Sequence, residues 1–289
     1  FLGDELESIV RAIIHSDDYI NKGASLMDLG VPTLPKFIKD NTDRNRTSPF
    51  AFTGNKFEFR MPGGEINLSD ANTVLNTIVA KTLADFADAV EDAPDFEKTA
   101  KEYMKQVLTD HQRIIFNGDN YCDDWPLEAE KRGLLNYRST PECLPLIASQ
   151  ESIELFERFG VMSKIELESR MEVYLDQYSM KINIEGLVSS RMVRARYLPA
   201  IIEYSSMIAH SIEAKKDVSS ALNTRAEEAL LNRLTEGINA ISDCVDVLDA
   251  AVAESAAIAE PQAKATAYLE KVIPAMSELR THVDEMELL

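Results

Sequence analysis

The sequence predicts an α+β fold that is predominantly α-helical, with a β-hairpin and several helices followed by a helical bundle. Three observations predict this class. Residues 56–61 alternate charged and apolar side chains with the period of a strand, most of the remaining chain repeats apolar residues at helical spacing, and two long apolar seams follow one another near the C-terminus. Because strands and long helices occupy different parts of the chain, the two kinds of element are segregated, as in α+β proteins.

The N-terminal part is predicted to contain one helix, a long loop region and two strands. Apolar residues form a single stripe over residues 4–15, which indicates a short helix. Residues 17–49 are rich in Gly, Pro, Asn and Asp, which favour turns and extended backbone, so loops are expected there. Two strands follow at 50–52 and 56–61, and the residues Thr53, Gly54 and Asn55 between them favour a tight turn.

Four shorter helices are predicted in the middle of the chain from apolar periodicity and from residues typical of helix ends. Pro94 and Pro126 suit first helical turns, where no backbone N–H is required. Gly133 and Gly160 suit helix C-termini, where the backbone often turns left-handed. The predicted helices span about 70–91, 94–117, 124–133 and 150–159.

Long helices are predicted for the C-terminal part. Ser163 and Glu166 have the spacing of a capping box, so a long helix is expected to begin there and to kink near Pro199. Another is expected at about 218–259, and a last one from Pro261. Apolar residues in the last two recur at alternating steps of three and four, which is typical of a coiled-coil seam. Two successive seams predict a long antiparallel hairpin.

Charge and composition exclude several classes of partner. The chain has 30 Lys and Arg against 49 Asp and Glu, a formal net charge of −19, which repels nucleic acids and anionic membrane surfaces. No apolar run approaches the roughly 18 residues that span a bilayer, and no signal peptide is evident. We therefore expect a soluble protein that binds neither nucleic acid nor membrane.

The cysteines and the first residue bear on the compartment and on the extent of the chain. Cys122, Cys143 and Cys244 are far apart and lack metal-ligand spacing, so neither a disulfide framework nor a zinc site is expected. A reducing, cytoplasmic location fits this pattern. The sequence opens with Phe1 and enters a helical pattern almost at once, which leads us to expect that the natural protein extends further upstream.

The charged face of the second strand is the strongest candidate for a functional site. Lys56, Glu58 and Arg60 share this face, and Arg46 lies in the preceding loop. One interpretation is a row of surface ion pairs, which contributes little energy. The other is that Glu58 binds a divalent cation while the basic side chains neutralise phosphoryl oxygens, as phosphoryl transfer requires. The spacing alone leaves both open.

Several runs of this sequence resemble one known family. The runs NRTSPFAFTGNKFEFRMPG and NTVLNTIVA resemble the strand–loop–strand and the following helix of the type III glutamine synthetases. The run FNGDNYCDDWPLEAEKRGLLNYRSTPECLP is similar to the signature of the C-terminal extension in that class, and the opening FLGDELESIV also matches. The resemblance implies that residues 1–117 are the C-terminal part of the catalytic domain and residues 118–289 a helical C-terminal extension.

The resemblance also implies roles for individual residues. Glu58 occupies the position of a glutamate that binds the metal ion near the nucleotide phosphates, and Lys56 the position of a basic residue that faces those phosphates. Arg60 corresponds to an arginine that contacts the substrate or its phosphoryl group, and Arg46 to a loop arginine that stabilises γ-glutamyl phosphate. The remaining metal ligands and most glutamate contacts lie upstream in the family.

The activity implied is the ATP-dependent, ADP-forming ligation of ammonia to glutamate, with Mg²⁺ or Mn²⁺ as the divalent ion. Family members assemble into hexameric rings that stack as dodecamers, so a similar self-association is implied. The chain alone, without the upstream ligands, is expected to be inactive. The competing hypothesis is a non-catalytic helical interaction or assembly module, in which the two apolar seams recruit a partner helix.

Overall fold

The computed structural model describes residues 2–19, 26–27, 37–38, 50–52, 56–59, 63–64, 67–116 and 124–289. Within these ranges the chain is predominantly helical with two pairs of short strands, so the predicted helical class is confirmed. The chain divides into two compact units, Phe1–Asn136 and Tyr137–Leu289. No helix in the described ranges combines the length and the apolar character needed to cross a bilayer.

The first unit combines four α-helices with two antiparallel strand pairs among its described residues. Helix α3 packs against both α1 and α2. Strand β1 pairs with β2, and β3 pairs with β4. The elements are α1 (Gly3–His15), β1 (Leu26–Met27), β2 (Phe37–Ile38), β3 (Phe50–Phe52), β4 (Phe57–Phe59), α2 (Leu68–Val90), α3 (Phe96–Asp110) and α4 (Asp124–Lys131).

The ends of α2 and α3 are set by side-chain caps. The Asn67 side chain accepts a hydrogen bond from the Ser69 N–H at 2.9 Å, and that of Asp95 accepts one from the Lys98 N–H at 3.0 Å. Because Asp95 is the cap, Pro94 lies before α3 instead of in its first turn, which corrects the prediction. Helix α3 also ends at Asp110, earlier than predicted, and a 3₁₀ turn at Gln112–Ile114 follows it.

Helix α4 contacts the end of that 3₁₀ turn, mainly through hydrogen bonds of Arg132, the residue that follows the helix. The Arg132 guanidinium donates to the Glu128 carboxylate at 2.6 Å and to the Ile115 carbonyl at 2.8 Å. The Trp125 ring stacks on Phe116 with centroids 3.9 Å apart. Gly133, with φ of +66°, ends the helix in the left-handed conformation expected from the sequence.

The second unit is built from helices throughout. It begins with α5 and a 3₁₀ turn at Leu144–Ala148. Two five-residue π-helical segments, Val193–Tyr197 and Tyr268–Val272, interrupt longer helices. The helices are α5 (Thr140–Cys143), α6 (Gln150–Arg158), α7 (Lys164–Met192), α8 (Leu198–Val218), α9 (Arg225–Ala256), α10 (Pro261–Ala267) and α11 (Ile273–Glu287).

The core of this unit forms around α9, which packs against α7, α8 and α11. Glu254 near the end of α9 pairs with Lys271, which precedes α11, at 2.9 Å, whereas Gly237 lies beside Met286 near the end of α11. Helices α9 and α11 therefore run in opposite directions. The buried cluster consists of seam residues and their neighbours, namely Val193, Ile241, Val245, Leu248, Val252, Tyr268, Val272, Leu279 and Val283.

A chain reversal separates α8 from α9. The sequence predicts one helix from about residue 218, but the structure ends α8 at Val218 and begins α9 at Arg225. Two ion pairs join the facing ends, Lys215 with Glu227 and Lys216 with Glu228, the latter at 3.2 Å. The predicted boundary near residue 218 thus coincides with the end of α8, but the next helix begins seven residues later than predicted.

The kink predicted near Pro199 falls at a local irregularity of the helix. The π segment Val193–Tyr197 lies immediately before α8, and Pro199 follows in the first turn of that helix. Proline has no N–H to donate to the preceding turn, so the extra residue of a π turn is accommodated where a regular hydrogen bond is already absent.

Replacing Ser163 with alanine is expected to lower the stability of the second unit by about 1 kcal/mol, since it removes the cap of α7. The Ser163 N–H donates to the Glu166 carboxylate at 2.8 Å, and the Ser163 hydroxyl receives the Glu166 N–H at 3.4 Å. Urea unfolding followed by far-UV circular dichroism measures the change. Ser169→Ala, at an exposed site in the same helix, is the matched control. Equal midpoints for the two variants would contradict the capping role.

Candidate functional site

The candidate site lies on the antiparallel pair β3–β4. Phe50, Ala51 and Phe52 are opposite Phe59, Glu58 and Phe57, respectively. The Phe50 and Phe57 rings stack with centroids 4.8 Å apart, which fixes the two short strands in this register. Side chains alternate along a strand, so Glu58 projects to the face opposite Phe57 and Phe59.

Glu58 is held beside a basic side chain on the same strand face. The Lys56 ammonium lies 3.0 Å from Glu58 Oε1, with the two side chains 65% and 38% exposed, respectively. An ion pair this exposed contributes little to stability, because water and salt screen it. The carboxylate can therefore exchange this cation for another at small energetic cost, which a structural ion pair in a core could not do.

The structure brings together two of the four residues that the sequence singles out. Lys56 and Glu58 meet, as the alternation along β4 predicts. Arg46 and Arg60 lie outside the described residues. Their roles, and those of Lys56 and Glu58 in binding, stay predictions.

The donor set near Glu58 suits one kind of metal site only. The described ranges contain no group of three or more His, Cys, Asp or Glu side chains that could hold a metal ion. A single carboxylate does suit Mg²⁺, which commonly takes one or two carboxylates and completes its shell with phosphate oxygens and water. Glu58 thus fits a metal shared with a nucleotide and with ligands from elsewhere, and it does not fit a metal centre enclosed by the described residues.

The other face of β4 shows something that the alternation did not predict. Phe57 is 58% exposed and Phe59 38% exposed, although the strand pair contains four phenylalanines. Periodicity shows which residues share a face, but it does not say which face the rest of the chain covers. Large aromatic side chains left this exposed are typical of a surface that contacts further protein.

Cysteine chemistry is not a competing site among the described residues. Cys143 and Cys244 are free thiols, and burial raises the pKa of both. A thiol with a raised pKa stays protonated at neutral pH, and the thiolate is the nucleophilic form. Neither cysteine is therefore suited to nucleophilic catalysis.

Comparison with known proteins supplies the context for the β4 motif. Residues 99–216 match a family model described as the glutamine synthetase C-terminal domain. The chain is 36% identical over 294 residues to the type-3 glutamine synthetase of Dictyostelium discoideum, covering 99% of this chain and 40% of that protein. It is 35% identical over 298 residues to a glutamine synthetase of Butyrivibrio fibrisolvens and 30% identical over 300 residues to one of Bacteroides fragilis, in each case covering 100% of this chain and 41% of the relative. The chain therefore spans about two fifths of the length of these relatives.

Proposed function

This chain corresponds to the C-terminal portion of the type III glutamine synthetases, and on that premise we propose that it supplies part of an ATP-dependent site that ligates ammonia to glutamate. The observation that carries the proposal is the half-exposed Glu58 carboxylate, 3.0 Å from Lys56, inside the run that resembles this family. Glutamate, ammonia and ATP are the proposed substrates, and ADP and phosphate the co-products.

The proposed reaction has two steps. The side-chain carboxylate of glutamate attacks the γ-phosphorus of ATP, which forms γ-glutamyl phosphate and releases ADP. Ammonia then attacks the acyl carbon, the carbon–oxygen bond to phosphate breaks, and the ammonia nitrogen loses a proton as glutamine forms. Both steps move negative charge onto phosphate oxygens, so positioned cations are the main catalytic requirement.

Each of the four candidate residues has a proposed part in this chemistry. Glu58 provides one carboxylate ligand to Mg²⁺ or Mn²⁺, which when bound neutralises charge on the phosphates. Lys56 leaves its pairing with Glu58 to contact nucleotide phosphates, and Arg60 contacts the phosphoryl group or the nucleotide. Arg46 stabilises γ-glutamyl phosphate from the preceding loop. Further ligands are proposed to come from the part of the protein that precedes this chain.

The proposal extends to the organisation of the whole protein. We assign residues 1–117 to the end of the catalytic domain and 118–289 to a C-terminal helical bundle with a long antiparallel hairpin. The exposed rings of Phe57 and Phe59 support this, since they offer a surface for the rest of a catalytic domain. Hexameric rings stacked into a dodecamer, in the cytoplasm, are the proposed assembly and location.

A second candidate function is favoured by one observation in the second unit. Helix α7 leaves apolar side chains exposed along one side at steps of three and four, with Met180 at 55%, Ile184 at 52% and Leu187 at 52%. Such a stripe suits association with another helix. A purely non-catalytic assembly module would use this surface and would not require Glu58.

The two functions are distinguished by an assay on the full-length protein that carries this sequence. With hydroxylamine in place of ammonia, γ-glutamyl hydroxamate is expected only when glutamate, ATP and Mg²⁺ or Mn²⁺ are all present. The 289-residue chain alone is the matched control and is expected to give none. A correctly assembled full-length protein that forms no hydroxamate would overturn the ligase assignment and leave the assembly function.

A further inference from the structure

A cavity of about 530 Å³ in the second unit has the chemistry of a binding site for a small polar molecule. Helix α7 forms one wall, and α10 with the following π segment forms another. The volume lies in the range of small-molecule sites. The cavity contains none of the residues assigned to the ligase reaction. A ligand bound there would therefore differ from the substrates of that reaction, or would be one of them bound for a purpose other than catalysis.

Polar groups converge on this cavity because of helical spacing. Asp176, Ser179 and Asn183 are three and four residues apart on α7 and therefore share one face. Lys264 and Tyr268 are four residues apart on the facing wall. With Gln177, which also lines the cavity, the walls thus carry a carboxylate, an ammonium, two hydroxyls and two amides.

One of these groups is left unsatisfied by the protein. Ser179 is only 4% exposed, and its hydroxyl has no hydrogen-bond partner among the described residues. A buried hydroxyl without a partner is costly and uncommon in native proteins, and a bound ligand or water is the usual explanation. Because Ser179 lines the cavity, its partner would lie inside the cavity.

A second group is oriented for binding by the protein itself. The hydroxyl of Tyr268, which is 2% exposed, donates to Asn183 Oδ1 at 3.0 Å. Burial raises the pKa of Tyr268, so its proton stays in place at neutral pH. The Asn183 oxygen is thereby occupied, and the amide NH₂ of Asn183 remains available to donate to a ligand.

The two charged residues are available as well. Asp176 is exposed, Lys264 is half-buried, and no ion pair within the described parts of the chain involves either side chain. Most lysines near a carboxylate in this acidic unit are paired with it. Lys264 instead faces the cavity from one wall and Asp176 from the other, so the cavity suits a ligand that carries both a negative and a positive charge.

From this arrangement we infer that the cavity between α7 and α10 binds a small zwitterion of the free amino acid class. Asp176 receives the ammonium group, Lys264 receives the carboxylate, and Ser179 and Asn183 hydrogen-bond a polar side chain. The cavity is larger than glycine needs, and the apolar residues Val173, Met180 and Ala256 in its lining suit the methylene groups of a longer side chain.

L-Glutamine is the probe for the test, since it carries both charges and an uncharged amide. Isothermal titration of the 289-residue chain is expected to show saturable binding with a Kd of about 1 mM or tighter. Asp176→Asn and Lys264→Gln are each expected to weaken binding by about tenfold or more, because each removes a charge-assisted hydrogen bond. Lys271→Gln, which alters an exposed lysine outside the cavity, is the matched control and is expected to bind normally.

Two shortened probes assign each charge to its residue. Glutaramic acid lacks the α-ammonium group, so its binding should be insensitive to Asp176→Asn. 4-Aminobutanamide lacks the carboxylate, so its binding should be insensitive to Lys264→Gln.

Absence of saturable L-glutamine binding up to about 10 mM would overturn the inference. Binding of L-glutamine that neither Asp176→Asn nor Lys264→Gln weakens would also overturn it, because the ligand would then occupy another site. Asp176 is exposed, so its substitution tests the site even if Lys264→Gln fails to fold.

Discussion

Replacing Glu58 with alanine is expected to reduce the turnover of the full-length protein by about 100-fold or more. A metal ion that neutralises phosphoryl oxygens contributes several kcal/mol to transition-state stabilisation, and each 1.4 kcal/mol corresponds to roughly a factor of ten in rate. Loss of one carboxylate ligand should also raise the Mg²⁺ concentration needed for half-maximal activity. Initial rates of hydroxamate formation across a Mg²⁺ titration measure both effects.

Glu58 is half-exposed, so its replacement leaves no cavity in a core. Its ion pair with Lys56 is exposed, so Glu58→Ala should leave folding intact. Glu58→Asp keeps a carboxylate and is expected to regain part of the activity at high Mg²⁺. Glu97→Ala, at a side chain 84% exposed in α3, is the matched control and should be fully active. Unchanged turnover and unchanged metal dependence in Glu58→Ala would remove Glu58 from the site.

The parts of the fold that the sequence predicted best are those fixed by local chemistry. The Ser163–Glu166 capping box, the left-handed Gly133 and Gly160, and Pro261 in the first turn of α10 all lie where their residue types indicate. Each depends on backbone hydrogen bonds within one turn, so no knowledge of distant contacts is needed.

The elements that the sequence predicted poorly depend on contacts between distant residues. The sequence predicts a helix boundary near residue 218, but it places residues 219–224 in the second helix, whereas they separate α8 from α9. The ion pairs that join the two helix ends link residues twelve apart, and an apolar period cannot show them. The apolar period does not reveal the π segments either. The segment Tyr268–Val272, for example, belongs to a helix whose apolar stripe continues through it. Tertiary packing decides such features, and periodicity only states which residues prefer burial.

The same distinction between local pattern and tertiary packing applies to the candidate site. Alternation along β4 predicts that Lys56 and Glu58 share one face, and the two side chains meet there. It could not show that Phe57 and Phe59 would remain exposed, because that depends on what covers the sheet. The cavity beside Ser179 was also not evident in the sequence. Its residues are ordinary for a helix surface, and only the packing of α10 against α7 brings the two sets together.

Replacing Gly186 with alanine is expected to destabilise the second unit by about 2 to 3 kcal/mol, in spite of the better helix propensity of alanine. A Cβ atom at Gly186 would lie 2.8 Å from Val252 Cγ2 and 3.2 Å from Val272 Cγ1. Both valines are buried, and a β-branched side chain has little rotamer freedom with which to move away. Helix α7 would therefore have to shift away from α9, which loosens the core around Leu248.

Gly237→Ala is the matched control for this prediction, since Gly237 is also a buried helical glycine. The three heavy atoms nearest to its added methyl all belong to the Met286 side chain, which is half-buried and can rotate about three bonds. The free-energy cost of moving Met286 in Gly237→Ala is therefore offset by the gain of up to about 1 kcal/mol from replacing a helical glycine. Far-UV circular dichroism in urea follows the helices, while fluorescence of Trp125, the single tryptophan, reports on the first unit as an internal reference. If the two variants unfolded at the same urea concentration, close contact at Gly186 could not be what holds α7 against α9.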